Sequence, residues 1–157
     1  MSSHLDENGS VNMVDVGNKS VTRRTAVAIG KVIMNKDAFE ILKGGRSKKG
    51  EIITTAKIAG IMAAKKTYDL IPLCHNIRIE RVNVDISFMN NDYTCIIKSE
   101  VTGSDKTGFE MEALTAVTVS CLTIYDMLKS VDREITITDI YLLEKSGGKS
   151  GEFKRKI

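Results

Sequence analysis

The chain is poor in several residue types, and each shortage excludes something. Tryptophan is absent, aromatic residues make up only 5% of 157 residues, and there is one proline. So few aromatics argue against a sheet that stacks nucleic-acid bases, and Phe88 and Tyr93 do not form the aromatic signature such a sheet carries. Three cysteines (Cys74, Cys95 and Cys121), odd in number and widely spaced, build no disulfide framework. Without a C-x-x-C pair, and with Cys74 and His75 adjacent, a structural zinc site is not expected. No apolar run approaches the ~20 residues that cross a bilayer. The opening residues carry neither the basic nor the apolar region of a signal peptide. These shortages lead us to expect a cytoplasmic protein with reduced thiols, a disordered leader over residues 1–12 and a single domain over 13–157.

Basic residues gather where glycine gathers. Gly44–Gly50, Gly103–Gly108 and Lys145–Gly151 each combine turn-forming glycines with lysine or arginine. Glycine lets backbone N–H groups turn toward an anion and lysine supplies the counter-charge, so together the loops predict a polyphosphate pocket. Leu143 stands where a Walker A loop ending at Lys149-Ser150 would need its first glycine, which argues against a P-loop nucleotidase.

The single proline, Pro72, sits in Asp69-Leu70-Ile71-Pro72-Leu73-Cys74-His75-Asn76. It ends the preceding helix and leaves His75 on a connection between two rigid elements. A catalytic histidine and a gap-filling one fit this stretch alone equally well. Around it, Thr22 to Ile33 reads as a strand, and Asn35 caps a short helix that closes at Gly44. Glu51 to Tyr68 reads as a helix with a narrow face of Ala56, Ala59, Gly60 and Ala63. Ile77 to Phe88 and Tyr93 to Val101 alternate as a hairpin, with a phase slip near Glu80-Arg81 that predicts a β-bulge. Leu114, Val117, Cys121, Ile124 and Leu128 mark the clearest helix, for which Thr107 is the expected cap, and Glu134 to Leu143 is the last strand. The order β-α-β-β-α-β predicts a ferredoxin-like α+β sandwich, an antiparallel sheet with helices on one face.

On the long helix, Asp126 and Lys129 share a face, where an acid and an amine can tune one another. Glu112 and Asp126 are fourteen residues apart, roughly 21 Å along a helix. If both act on one ligand, a second subunit has to supply one end.

Five ordered blocks resemble the molybdenum cofactor biosynthesis protein C family. They are Lys57–Lys65, Leu70–His75, Lys106–Thr115, Leu122–Met127 and Lys145–Gly151, with Met13-Val14-Asp15-Val16 as an opening signature. The resemblance implies a cyclic pyranopterin monophosphate synthase, a lyase that rearranges 3′,8-cyclo-7,8-dihydro-GTP and releases pyrophosphate. It also implies a homohexamer, a trimer of dimers with pockets between subunits, with no cofactor and neither nucleic acid nor membrane as a partner. Carried over by position, Asp126, Lys129 and Lys49 match catalytic residues. Leu73, Cys74, His75, Met111 and Glu112, with Glu110 beside them, match substrate-binding positions, and Arg24, Lys65, Lys145 and Lys149 match basic residues lining the pocket. Clustered lysines can depress one another's pKa, so one of them is expected to act as an acid near neutrality. The chain departs from the family pattern at Asn12, Ser47-Lys48 and Asn76. A regulatory nucleotide-binding module, needing the lysine loops but not Asp126, is the competing reading.

Overall fold

A computed structural model describes residues 8–156. The first seven positions of the expected leader, His4 among them, lie outside the described residues.

Two long strands form the spine of the sheet. Strand β1 (Thr22–Ile33) pairs antiparallel with β5 (Thr94–Asp105) in unbroken register, from Thr22 opposite Asp105 to Ile33 opposite Thr94. On the far side of β5 lies β4 (Ile79–Met89), and on the other side of β1 lies β6 (Thr136–Ser146), edged by the short β7 (Phe153–Lys154). The order β4-β5-β1-β6-β7 is that of a ferredoxin-like sheet with one added edge strand. The register between β4 and β5 shifts between Ile79 and Arg81, where the phase slip predicts a bulge.

One face of β1 is made of small residues for a packing reason. Ala26, Ala28 and Val32 are fully buried, and a side chain at Gly30 would come within 2.5 Å of Val117. This lets helix α4 (Glu110–Leu128) lie close across β1, β5 and β6. Helix α2 (Ile52–Ala64) packs on α4 and β4, and here too approach is close, since a Cβ at Gly60 would stand 2.9 Å from the Ala116 carbonyl. The small face expected on this helix is the contact surface. By length and composition alone α4 could cross a membrane, contrary to the expectation that no stretch comes near that limit. Its apolar character is accounted for by burial: Ala113, Val117, Cys121, Ile124 and Leu128 are fully enclosed in the core.

Helix α1 (Lys36–Lys43) begins as expected, with the Asn35 side chain accepting from Ala38 N–H at 2.9 Å. Its end differs in detail. Gly44 keeps helical angles, and Gly45, at φ +80°, makes the left-handed turn. A two-stranded hairpin of β2 (Arg46–Ser47) and β3 (Gly50–Glu51) follows, turning at Lys48 and Lys49.

Three expectations need correction. The helix expected over Glu51–Tyr68 stops at Ala64, and a single turn α3 (Thr67–Leu70) follows it. Buried Thr67 ties the two together by donating to the Ala64 carbonyl at 3.0 Å. Thr107 does not cap α4: Phe109 is the N-cap residue and makes no side-chain capping bond, and the first turn instead carries Glu110 and Glu112 against the positive end of the helix dipole. Strand β5 continues past Val101 to Asp105, because residues 102–105 remain paired with β1, and the missing side chain at Gly103 leaves room for the Phe109 ring.

Candidate active site

All the expected site residues except Lys65 collect toward the two ends of α4. At the C-terminal end, Asp126 stands between two ammonium groups. Lys129, one turn on, reaches its Oδ1 at 2.8 Å, and Lys49 reaches its Oδ2 at 2.9 Å from the turn of the β2–β3 hairpin. Lys49 also donates to the Asp126 backbone carbonyl at 2.6 Å. Two hydrogen-bonded cations hold the Asp126 carboxyl well down, at about 2. Reciprocally, Asp126 raises the pKa of Lys129 above its usual value. For Lys129 this corrects the expectation of a depressed amine, because its hydrogen bond to the Asp126 carboxylate raises it. All three side chains are roughly half exposed.

The N-terminal end is the reverse. Leu73, Cys74, His75, Glu110, Met111 and Glu112 line a cavity of about 490 Å³. Glu112 is buried, at 3% exposure, and burial raises its carboxyl pKa to about 7, with Glu110 and Asp105 adding to the shift. Burial and the Glu112 charge both push the Cys74 thiol up. The His75 ring meets the Val14 carbonyl at 2.8 Å through Nε2. A carbonyl can only accept, so Nε2 carries a proton there. His75 thereby pins the segment before β1 onto the connection after Pro72.

The basic residues divide among separate places. Lys145 pairs with Glu110 at 2.9 Å beside the cavity. Arg24 donates to the carbonyls of Asp105 and Lys106 at 3.0 and 2.9 Å, and with Lys149 it lines a second, adjoining cavity. Lys65 is apart from both, on a groove beside β4 with Arg78 and Arg81. The polyphosphate pocket expected from three glycine–lysine loops is therefore not assembled within one chain. The loop around Lys49 serves the C-terminal end of α4, and the other two serve the N-terminal end. Among the described residues no three His, Cys, Asp or Glu side chains converge as a metal site would require.

Sequence reasoning missed Lys19, Thr107 as a wall residue, and Arg133, which shares a small pocket with Lys49, Tyr125 and Lys129. No periodicity marks Lys19 or Arg133, since both lie on connections. Thr107 was within a singled-out loop but carried the wrong role.

Fold and site together define a ferredoxin-like α+β domain with an acid–base cluster at one end of its core helix and an acid-containing cavity beside cationic walls at the other. Residues 13–148 match the model of the MoaC family, and the chain belongs to that family. It is 48% identical over 153 residues to the cyclic pyranopterin monophosphate synthase of Thermomicrobium roseum, an alignment covering 98% of this chain and 92% of that one. To the protein of the same name from Parvibaculum lavamentivorans it is 50% identical over 153 residues, covering 98% and 96%. To cyclic pyranopterin monophosphate synthase 3 of Mycobacterium bovis it is 54% identical over 152 residues, covering 97% and 85%.

Proposed function

We propose that this protein is a cyclic pyranopterin monophosphate synthase of molybdenum cofactor biosynthesis, a lyase. It converts 3′,8-cyclo-7,8-dihydro-GTP to cyclic pyranopterin monophosphate and releases pyrophosphate. The observation that carries this reading is the Lys49–Asp126–Lys129 cluster, in which one carboxylate orders two ammonium groups within 3 Å of it. Opening one ring and closing another requires several proton transfers, and a pair of protonated amines around a fixed anion is equipped to deliver them. Lys49 and Lys129 act as proton donors, and Asp126 positions them and relays protons. Asp126 strengthens the hold of Lys129 on its proton, and the exclusion of water upon substrate binding works the other way, favouring release from a charged amine.

The site lies between subunits of a homohexamer, a trimer of dimers. Support comes from geometry: Glu112 and Asp126 are separated by fourteen residues of helix, about 21 Å, too far for one ligand within one chain. A neighbouring copy brings the C-terminal cluster of one chain to the cavity of another. A cytoplasmic location belongs to the same reading and agrees with three free thiols.

The test is pyrophosphate release from purified 3′,8-cyclo-7,8-dihydro-GTP by the wild type and Asp126→Asn. Turnover by the wild type that the variant loses supports the reading. Binding without turnover by either protein replaces it with the nucleotide-binding module.

A further inference from the structure

Arg133 lies just past the end of α4, on the loop that leads to β6. It shares a cavity of about 280 Å³ with Lys49, Tyr125, Lys129 and Ser130, and no carboxylate side chain lines that cavity. Lys49 and Lys129 both pair with Asp126, so three cations are answered by one carboxylate and two positive charges remain. Arg133 itself has no ion-pair or hydrogen-bond partner among the described residues. The space is too small for a whole nucleotide, and ammonium, guanidinium and hydroxyl groups on one wall suit a phosphate group.

An arginine on a loose loop would be an ordinary solvated side chain. This loop is tied down. Val131 and Asp132 both donate their N–H to the Leu128 carbonyl, at 2.8 and 3.0 Å. Asp132 is buried, and its two carboxylate oxygens accept from two different elements. Oδ2 takes the N–H of Asn35, the cap residue of α1, at 2.7 Å, and Oδ1 takes the N–H of Glu134 at 2.9 Å. Burial of a carboxylate is unfavourable unless donors satisfy it, and these two amides do so. Asp132 thus fastens the loop to α1 on one side and to the approach to β6 on the other. Arg133 stands between these two anchor points, with its guanidinium free beside the Lys49–Asp126–Lys129 cluster.

We infer that Arg133 is a substrate-binding residue that holds a phosphate group of the nucleotide against the Lys49–Asp126–Lys129 cluster, and that Asp132 is its positioning residue. The inference rests on the synthase reading for the identity of that nucleotide. The anion follows from the unanswered charge and from a guanidinium that no protein group engages. The planar fork of Arg133 offers two parallel donors to phosphate oxygens, which fixes orientation as well as charge. Held there, the ligand keeps its reacting atoms within reach of the two ammonium groups.

Two measurements on the full chain test this. The first needs no turnover: phenylglyoxal labelling of Arg133, read by mass spectrometry with and without inorganic pyrophosphate. Pyrophosphate is expected to protect Arg133, and equal labelling in its presence overturns the assignment. The second is turnover of 3′,8-cyclo-7,8-dihydro-GTP by the wild type, Arg133→Met, Arg133→Lys, Asp132→Asn and the double variant Arg133→Met/Asp132→Asn. Loss of a charge-assisted hydrogen bond made in both ground and transition states predicts KM raised about tenfold in Arg133→Met, with kcat unchanged. Arg133→Lys keeps the charge without the fork and is expected to fall between. Asp132→Asn is expected to raise KM by itself and to add nothing in the double variant, because its effect passes through Arg133. An equal effect of Asp132→Asn with and without Arg133 removes the positioning role. Arg133 makes no side-chain contact that the fold needs, so the Arg133 variants are expected to melt with the wild type. If turnover occurs and Arg133→Met has an unchanged KM, this inference falls and the synthase reading stands. If pyrophosphate protects Arg133 but the wild type never turns substrate over, the anion site stands and the synthase reading falls.

Discussion

The two ends of α4 carry carboxylates in opposite states. Glu112, in the first turn, is buried and titrates near 7, because the surrounding protein replaces water that would stabilise its charge. Asp126, in the last turn, is exposed and held near 2, because two ammonium groups favour its charge. One end can therefore exchange a proton near neutrality, whereas the other holds a permanent negative charge. The difference teaches that residue type alone says little about acid–base role. Burial decides at one end of the helix, and partners decide at the other.

Three experiments sharpen or break this contrast. The largest effect belongs to the charged end. Lys129→Ala is expected to lower turnover by about 10²- to 10⁴-fold, the range for a positioned general acid. Single-turnover pyrophosphate release measures it, and full turnover would remove Lys129 from the chemistry. Next comes the buried end, read through stability. With its carboxyl pKa raised from 4.5 to about 7, Glu112 stays protonated in the folded state over a range where the unfolded chain has released that proton. Stability is then expected to fall as pH rises from about 4.5 through about 7, and to level off above. Glu112→Gln should flatten that slope and be the more stable protein at pH 8, by about 3 kcal/mol at most. Urea melts across pH 5 to 8 decide the matter, and a wild type already flat over this range breaks the comparison. The smallest effect is that of Asp126→Asn on stability. Its favourable contribution is present above the ordinary carboxyl pKa of 3.8 and fades as pH falls toward 2. Since exposed ion pairs contribute little, melting curves of this variant at pH 7 should overlay the wild type even as turnover is lost. A clear drop in melting temperature would recast the cluster as structural.

Much of this was legible from the sequence where the determining forces are local. The alternation of β1, β4 and β5, the helical period of Leu114 to Leu128, the Asn35 cap and the bulge near Arg81 all follow from side-chain periodicity or backbone chemistry. The pairing of Asp126 with Lys129 was equally readable, because three residues of helix bring them to one face. The errors arose where a distant contact overrode a local signal. Thr107 is an acceptable cap by type, yet the placement of Phe109 against Gly103 sets the start of α4. Good helix formers at Lys65 and Lys66 did not sustain α2, which ends where the chain turns toward Pro72.

By itself, then, the sequence determined the order of the long strands and helices, though not the β2–β3 hairpin, α3 or β7, together with the ferredoxin-like sandwich and the residue types available for acid–base chemistry. Tertiary structure alone decided which of those residues meet. Lys49 joins Asp126 across 77 positions of chain, Lys19 reaches the junction of two cavities, and Glu112 loses its water. The physical reason is range. Secondary structure is set by neighbours within a few residues, whereas charge state and ligand geometry depend on whatever the folded chain, or a second copy of it, brings within a few ångströms.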